Sequence, residues 1–417
     1  MSDQVTHLVD HFFREEYGKA VSYLTAKHGS SNLELAEDSV QEALYKAMRS
    51  WPYGQIPTNP TGWIITVASN KMIDHFRRES RVEGADMIPE KEGNFIEVEL
   101  ETIKDDVVKM MFACCHSSLS TEYQIILTLK ILGGLSIREI ARALLKKEET
   151  VAKSYTRAKK KFQSEAIALE LPDRAEIRIR LRTVLHIIYL LFNEGYKTTE
   201  GDTLIQKGLC REAIRLTDIL LESEACNISM TNALMALMLF HSSRFESRVN
   251  EQGELVTLEN QDRSKWDQGL IEDGLNSLEL ATRGSFLNEF YVQAAISGAH
   301  CQADTYEETN WKEILGMYNV LLRINPTSIV RLNRAVALAK ANSASEALKE
   351  LRLLESDHQM QEYYLFHAIK GEFLLEVGES AAALKALNRA IALTSNEAEI
   401  AHLKKKLEGG WIKHKRC

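Results

Sequence analysis

Proline and glycine are scarce, six and 21 in 417 residues. So few breakers exclude collagen-like and loop-rich chains and favour long helices. No run of 18 apolar residues occurs, so no segment is expected to span a membrane. The first residues lack a basic stretch followed by an apolar one, so no export signal is read. The six cysteines, Cys114, Cys115, Cys210, Cys226, Cys301 and Cys417, form no C-x-x-C pair. They also lack the density of a disulfide scaffold, and a reducing cytoplasm is the expected compartment. Phosphate-cradling G-x-x-x-x-G-K-[ST], H-E-x-x-H and G-x-S-x-G motifs are absent. No strand-like alternation persists, and the chain reads as all-α.

What is present is a chain 45% hydrophobic and 26% charged, able to bury real cores and long enough for two or three domains. Its net charge of -8 conceals two opposed blocks. Residues 138–161 hold nine Lys/Arg against three acids, and residues 85–106 hold eight acids against two lysines. Such adjacent blocks point to two specialised surfaces, the basic one suited to nucleic acid.

Three constellations lie in the first 165 residues. Ser31 and Glu34 fit a capping box opening a helix over 31–51, whose apolar stripe is Leu33, Ala36, Val40, Ala43, Leu44, Ala47 and Trp51. Asp38, Gln41 and Glu42 fall on another stripe, which by itself reads as a solvated face. Asn59 and Pro60 then fit an N-cap and first helical position. In that helix Ile65, Ala68, Met72 and Phe76 share one side, opposite Asn70, Asp74, Arg77, Arg78 and Arg81. Arginine and asparagine are side chains that contact phosphates and read base edges. Finally, Ser136 and Glu139 form a second capping box, a break falls at Lys146-Lys147, and a basic helix follows. It buries Val151, Tyr155, Ala158 and Phe162 and presents Thr150, Lys153, Ser154, Arg157 and Lys161. Two short helices about a tight turn, the second basic, describe a helix-turn-helix.

Taken together, these segments resemble a bacterial RNA polymerase sigma factor of the extracytoplasmic-function type. Residues 36–44 resemble the helix with which that family grips the polymerase clamp. Residues 59–78 resemble its promoter-opening, minus-ten-reading helix, and 134–159 its minus-thirty-five-reading helix-turn-helix. The resemblance implies Asp38, Gln41 and Glu42 on core polymerase. It implies Trp63, Asn70, Lys71, Asp74, Arg77 and Arg78 on the opened minus-ten DNA, and Thr150, Lys153, Ser154, Arg157 and Lys160 on the upstream element. Residues 52–58 would capture a flipped-out base, and the acidic linker would follow the polymerase's RNA channel. Leu145 stands where helix-turn-helix turns often carry Gly, and Ala152-Lys153-Ser154 replace the usual early basic residues, which leaves the upstream sequence undefined.

Residues 182–196 and 258–267 resemble the helical extension of one class of this family, which ends in TPR-like repeats. Ala335, Ala347, Leu348 and Leu351 recur 36 residues later as Gly371, Ala383, Leu384 and Leu387. Small residues at fixed sites of a helical hairpin are the TPR pattern. Tyr318 and Pro326 hint at a preceding copy. The expected organisation is therefore 1–81 and 104–168 as two small helical domains, 82–103 as an acidic linker, 172–290 as a helical extension and 291–410 as TPR-like repeats. Leu171-Pro172-Asp173 reads as a break between helices. Core RNA polymerase and promoter DNA are the expected partners, with a protein or peptide on the TPR-like part, and no cofactor. Cys114-Cys115-His116 and the His7, His11 pair read as structural, not metal sites. Asn193-Glu194-Gly195-Tyr196 and Gln261-Asp262-Arg263 read as ion-pair networks before a ligand pocket. Two other classes fit parts of the chain: a helix-turn-helix regulator acting without polymerase, disfavoured by the Asp38, Gln41, Glu42 stripe, and a TPR scaffold, disfavoured by the basic block.

Overall fold

The computed structural model describes residues 3–51, 56–83, 100–144, 146–196, 207–250, 256–284, 287–394 and 397–414. Among them regular structure is helical throughout, as the scarcity of breakers predicts. Two compact units form, one from residues 1–196 and 206–227, the other from 197–205 and 228–417.

The first unit opens with α1 (Asp3–His28), α2 (Leu33–Ser50) and α3 (Pro60–Glu83), packed on one another. Leu24, Leu33, Val40, Ile64, Ile65 and Met72 are fully enclosed between them. The start of α3 is as read: the Asn59 side chain accepts from the Gly62 N–H at 2.8 Å, with Pro60 at the first helical position. The start of α2 is not. A short 3-10 turn over Ser30–Asn32 precedes it, Asn32 occupies the cap position without a capping bond, and Glu34 pairs instead with Lys159 at 3.3 Å. A charged partner from another helix outcompetes the local capping bond.

The second part of this unit holds α4 (Leu100–Cys114), α5 (Thr121–Ile131), α6 (Ile137–Ala143) and α7 (Glu148–Ser164). The Ser136–Glu139 capping box is complete in both directions, at 3.2 and 2.7 Å. The predicted apolar stripe of α7 is buried, from Val151 through Phe162. Two further helices, α8 (Arg174–Tyr196) and α9 (Lys207–Glu222), lie against α4. Asp173 caps α8, and Arg180 reaches the Phe112 carbonyl at 3.4 Å. Lys104 holds Glu222 at 2.7 Å.

The unit boundary thus falls inside the 172–290 extension, whose first two helices belong with the N-terminal part. A fragment cut after residue 168 strips α8 and α9 from α4 and exposes an apolar face. It is expected to melt about 10 °C or more below a fragment ending at residue 227, since each 1 kcal/mol shifts a unit of this size by ~2–4 °C. Equal melting by circular dichroism would show that these helices add nothing to the unit.

The second unit is a succession of α10 (Ser229–Ser242), α11 (Gln268–Ala281), α12 (Glu289–Gln302), α13 (Trp311–Ile324), α14 (Ser328–Ala341), α15 (Ala344–Arg352), α16 (His358–Gln361), α17 (Tyr364–Glu376), α18 (Ser380–Leu393) and α19 (Glu397–His414). Asp267, Asn288, Asn310, Thr327, Ser343 and Asp357 each cap the helix that follows through their side chains. Helices α14 and α15 form one hairpin and α17 and α18 another. Ala335, Ala347 and Ala383 are fully buried. A Cβ on Gly371 would stand 2.7 Å from the Leu387 side chain, so the hairpin closes there only on glycine. Leu384 departs from the repeat and is 40% exposed.

Candidate nucleic-acid and polymerase interface

Asp38 and Gln41 are exposed on α2, one turn before and directly before the half-buried Glu42. The packing of α2 on α3 brings Glu42 against Lys71, so two residues assigned to different partners form one ion pair. Lys46 holds the same carboxylate at 2.9 Å. Hydrogen bonds from Lys71 and then Lys46 lower the Glu42 pKa to about 2. The sign follows: this pairing is complete above the ordinary glutamate value of 4.5 and is lost as pH falls through about 2. A carboxyl NMR titration should place the Glu42 midpoint near 2. In Lys71→Ala it should return toward 4.5, and an unmoved midpoint would show that the two side chains do not meet in solution.

Asn70, Lys71, Asp74 and Arg78 line, with Glu42, a concavity of about 470 Å³ between α2 and α3. Arg78 is exposed and Arg77 half-buried. Trp63 is half-buried and packs edge-on against Trp51, ring centres 5.6 Å apart. The loop at 52–58 has residues 52–55 outside the described residues, as are 84–99 of the acidic linker and Leu145. The exposed Ile56 and Thr58 flank the entry to α3.

On α7, Thr150, Lys153, Arg157 and Lys160 are exposed, opposite the buried stripe. Lys153, Arg157 and Lys160 meet no acidic partner among the described residues. The rest of the basic block is partly neutralised: Lys146 by Glu122 at 2.9 Å, Arg138 by Glu148 at 3.7 Å and Lys159 by Glu34 and Glu37. Ser154 differs from its neighbours, because its hydroxyl donates to Glu122 at 3.0 Å and is already engaged.

The remaining sequence signals have the following surroundings. Cys114 and Cys115 are fully buried, and burial pushes both thiols up, Cys115 to about 12. The Cys115 sulfur lies 3.9 Å from the Thr128 hydroxyl. The His116 ring instead meets the Ser118 hydroxyl at 2.9 Å. The side chains of His7 and His11 lie outside the described ones. Arg263 donates to the carbonyls of His300 and Ala303 at the end of α12 and lies 4.7 Å over the ring of buried Trp266. Asp262 and Asp267 cap the turns on either side. Glu194 is half-buried near Arg142 and Glu139, and burial raises its pKa to about 7. In the second unit a cavity of about 370 Å³ is lined by Tyr306, Trp311, Tyr318, Tyr364, His300 and Glu399 among others. The His300 Nδ1 there has no hydrogen-bond partner. No group of three metal-ligating side chains occurs among the described residues.

Glu37, within the 36–44 stretch, has no role in the sequence reading. It is a carboxylate on the apolar side of α2, between Leu33 and Val40. It is 3% exposed and accepts from the hydroxyls of both Tyr17 and Tyr155.

Known families match the elements that carry these residues. Residues 12–82 match Sigma-70 region 2 and residues 109–162 match Sigma-70, region 4. Residues 180–282 match a family of unknown function (DUF6596). An uncharacterized protein of Rhizobium meliloti (strain 1021) is 35% identical over 384 residues, covering 90% of each chain. The two matched regions, on α1–α3 and α4–α7, define the class: a sigma-70-type transcription initiation factor, from a family whose members are not enzymes. Within it, the chain belongs to the extracytoplasmic-function sigma factors and carries a helical extension beyond region 4. Among the described residues no helix is long and apolar enough to cross a membrane.

Proposed function

We propose that this chain directs core RNA polymerase to a small set of promoters and assists their opening, with no catalysis of its own, in the cytoplasm. The observation that carries this reading is that one compact unit presents two separate DNA-suited faces beside a polar ridge. Asn70, Lys71, Asp74, Arg77 and Arg78, with Trp63 at the helix start, form the minus-ten and melting face. Thr150, Lys153, Arg157 and Lys160 form the upstream face, with Ser154 contributing only after leaving Glu122. Asp38, Gln41 and Glu42 form the ridge for polymerase. Because Glu42 neutralises Lys71, the ridge and the melting face act as one surface, and polymerase binding at Glu42 frees Lys71 for phosphate.

The second unit is read as a TPR-like regulatory part. Its support is the pair of hairpins with Ala335 and Gly371 at their close approaches and the aromatic cavity beside α12, sized for a few side chains of a peptide partner.

The test is run-off transcription with purified core polymerase. Asp38→Ala with Gln41→Ala is expected to weaken core binding roughly tenfold while leaving the melting temperature within about 2 °C, since both side chains are exposed. Undiminished co-purification with core polymerase would remove the polymerase assignment. Absence of run-off product from the unaltered chain would remove the whole reading.

A further inference from the structure

Within the second unit, helices α12, α13, α14, α17 and α19 converge with the turn at 257–259 on the cavity of about 370 Å³. Four aromatic rings stand in its wall: Tyr306, Trp311, Tyr318 and Tyr364. Trp311 meets Tyr306 and His300 edge-on, with ring centres 5.4 and 5.2 Å apart. Neither pair stacks face to face, so these rings do not use up one another's faces. A ring face carries partial negative charge and attracts a cation, tryptophan most strongly. The same wall holds three carboxylates, Glu259, Glu372 and Glu399, against one lysine, Lys406. Lys406 is held by Glu372. Glu399 accepts from the Tyr364 hydroxyl and, at 2.5 Å, from Thr394. The two imidazoles of the lining add no positive charge at neutral pH. Burial, then Arg244 and Arg263, lower His300 to about 3, and burial and then Lys406 lower His402. The lining therefore carries a net negative charge beside its aromatic rings.

One ammonium of the chain already sits in such surroundings. Lys340 Nζ stands 5.3 Å from the centre of the Tyr306 ring and 3.7 Å from Glu259. Burial works against this charge, but Tyr306 and then Glu259 outweigh it and raise the Lys340 pKa. A cation entering the cavity meets the same two kinds of group, an aromatic ring and a carboxylate. An anion meets the reverse. The lysine of the lining is already engaged by Glu372, and Glu259 and Glu399 repel negative charge. A wholly apolar occupant would desolvate the carboxylates without bringing them a counter-charge, which costs free energy. Arg244 and Arg263, the two cations that depress His300, stand over the Trp266 ring and are not part of the lining.

We infer that this cavity takes an alkylammonium or guanidinium group on an apolar stem, with the stem against the aromatic rings and the charge at the carboxylates. A lysine or arginine side chain of a peptide and a free amine both supply this chemistry. The inference rests on reading the cavity as the ligand site of the TPR-like regulatory part. Helices α14 and α17 belong to successive hairpins and both line the cavity, so an occupant joins the two hairpins. Binding then stabilises the second unit by mass action.

The experiment is calorimetric titration of the full chain with probes that share a stem and differ in charge. The cationic probes are the N-acetyl methylamides of lysine and arginine, a heptapeptide with one central lysine, and 1,4-diaminobutane. The norleucine methylamide keeps the stem without the charge, and the glutamate methylamide reverses the charge. At least one cationic probe is expected to bind about tenfold or more tighter than the norleucine probe, and less tightly as salt rises. The glutamate probe is expected not to bind. At a free concentration 100 times its Kd, the tightest probe should raise the melting temperature of the second unit by about 5–10 °C. Glu399→Gln keeps the shape and removes the charge. It should weaken the cationic probe about tenfold and leave the norleucine probe within about twofold. The exposed Glu259→Gln serves if Glu399→Gln does not fold. Binding by the peptide alone marks a protein partner as the source, and binding by the diamine alone marks a free amine; each supports the inference. A norleucine or glutamate probe that binds as tightly as the lysine probe overturns the cation assignment and leaves the cavity a ligand site. Unchanged cation affinity in a folded carboxylate variant overturns that assignment too. No binding by any probe at millimolar concentration overturns the cation assignment and the reading of the cavity as a ligand site together.

Discussion

The double change Lys153→Ala with Arg157→Ala is expected to weaken binding to a duplex carrying the upstream element by roughly 2 kcal/mol or more, about 30-fold. Both side chains are exposed on α7 and make no ion pair among the described residues, so their loss should not disturb the buried stripe beneath them. The form of the loss separates two roles. A lost phosphate contact weakens all sequences about equally and reduces the salt slope by about one, whereas a lost base contact costs ~1–3 kcal/mol at one position. Ser154→Ala is the contrast. Its hydroxyl is engaged by Glu122, so its removal should change affinity far less. Unchanged affinity at low salt in the double variant would mean that α7 does not lie in the groove.

The faces were legible because they obey a helical period. Val151, Tyr155, Ala158 and Phe162 read as one stripe and are buried as one, and the basic residues on the other side of α7 followed from the same arithmetic. The caps at Ser136 and Asn59 were legible for the same reason, since capping depends on residues three apart. The failed cap at Ser31 shows the limit. Glu34 had a local use and a distant one, and only the fold brings Lys159 near enough to decide. The Glu42–Lys71 pair and the Glu37 contact are of this second kind, made between helices that the sequence holds far apart. The extension was legible as helices, but not where it divides. The break that sends α8 and α9 to the first unit is set by packing on α4, for which the local sequence carries no mark.

Arg263→Ala is expected to have the largest effect on stability, lowering that of the second unit by about 3–5 kcal/mol. The guanidinium serves three acceptors: the carbonyls of His300 at 2.6 Å and Ala303 at 2.5 Å, and the Thr309 hydroxyl at 3.3 Å. Those carbonyls end α12, where no further helical N–H can reach them. The same plane covers the face of Trp266, which is 3% exposed and has Arg244 5.8 Å away. Burial lowers the Arg263 pKa, and guanidinium basicity is high enough that the group stays charged. Alanine therefore leaves carbonyls unpaired beside an uncovered indole, which costs more than a surface ion pair would. Arg263→Lys keeps the charge but offers one compact ammonium in place of a planar fork, so it should recover less than half of the loss. Thermal unfolding of the full chain in a Trp51→Phe, Trp63→Phe background, followed by tryptophan fluorescence for the second unit and by circular dichroism for the whole, distinguishes the two units. The transition carrying the second unit should fall by about 10 °C while that of the first is unmoved. A variant melting within 2 °C of the unaltered protein would show that α12 is closed by something other than this guanidinium.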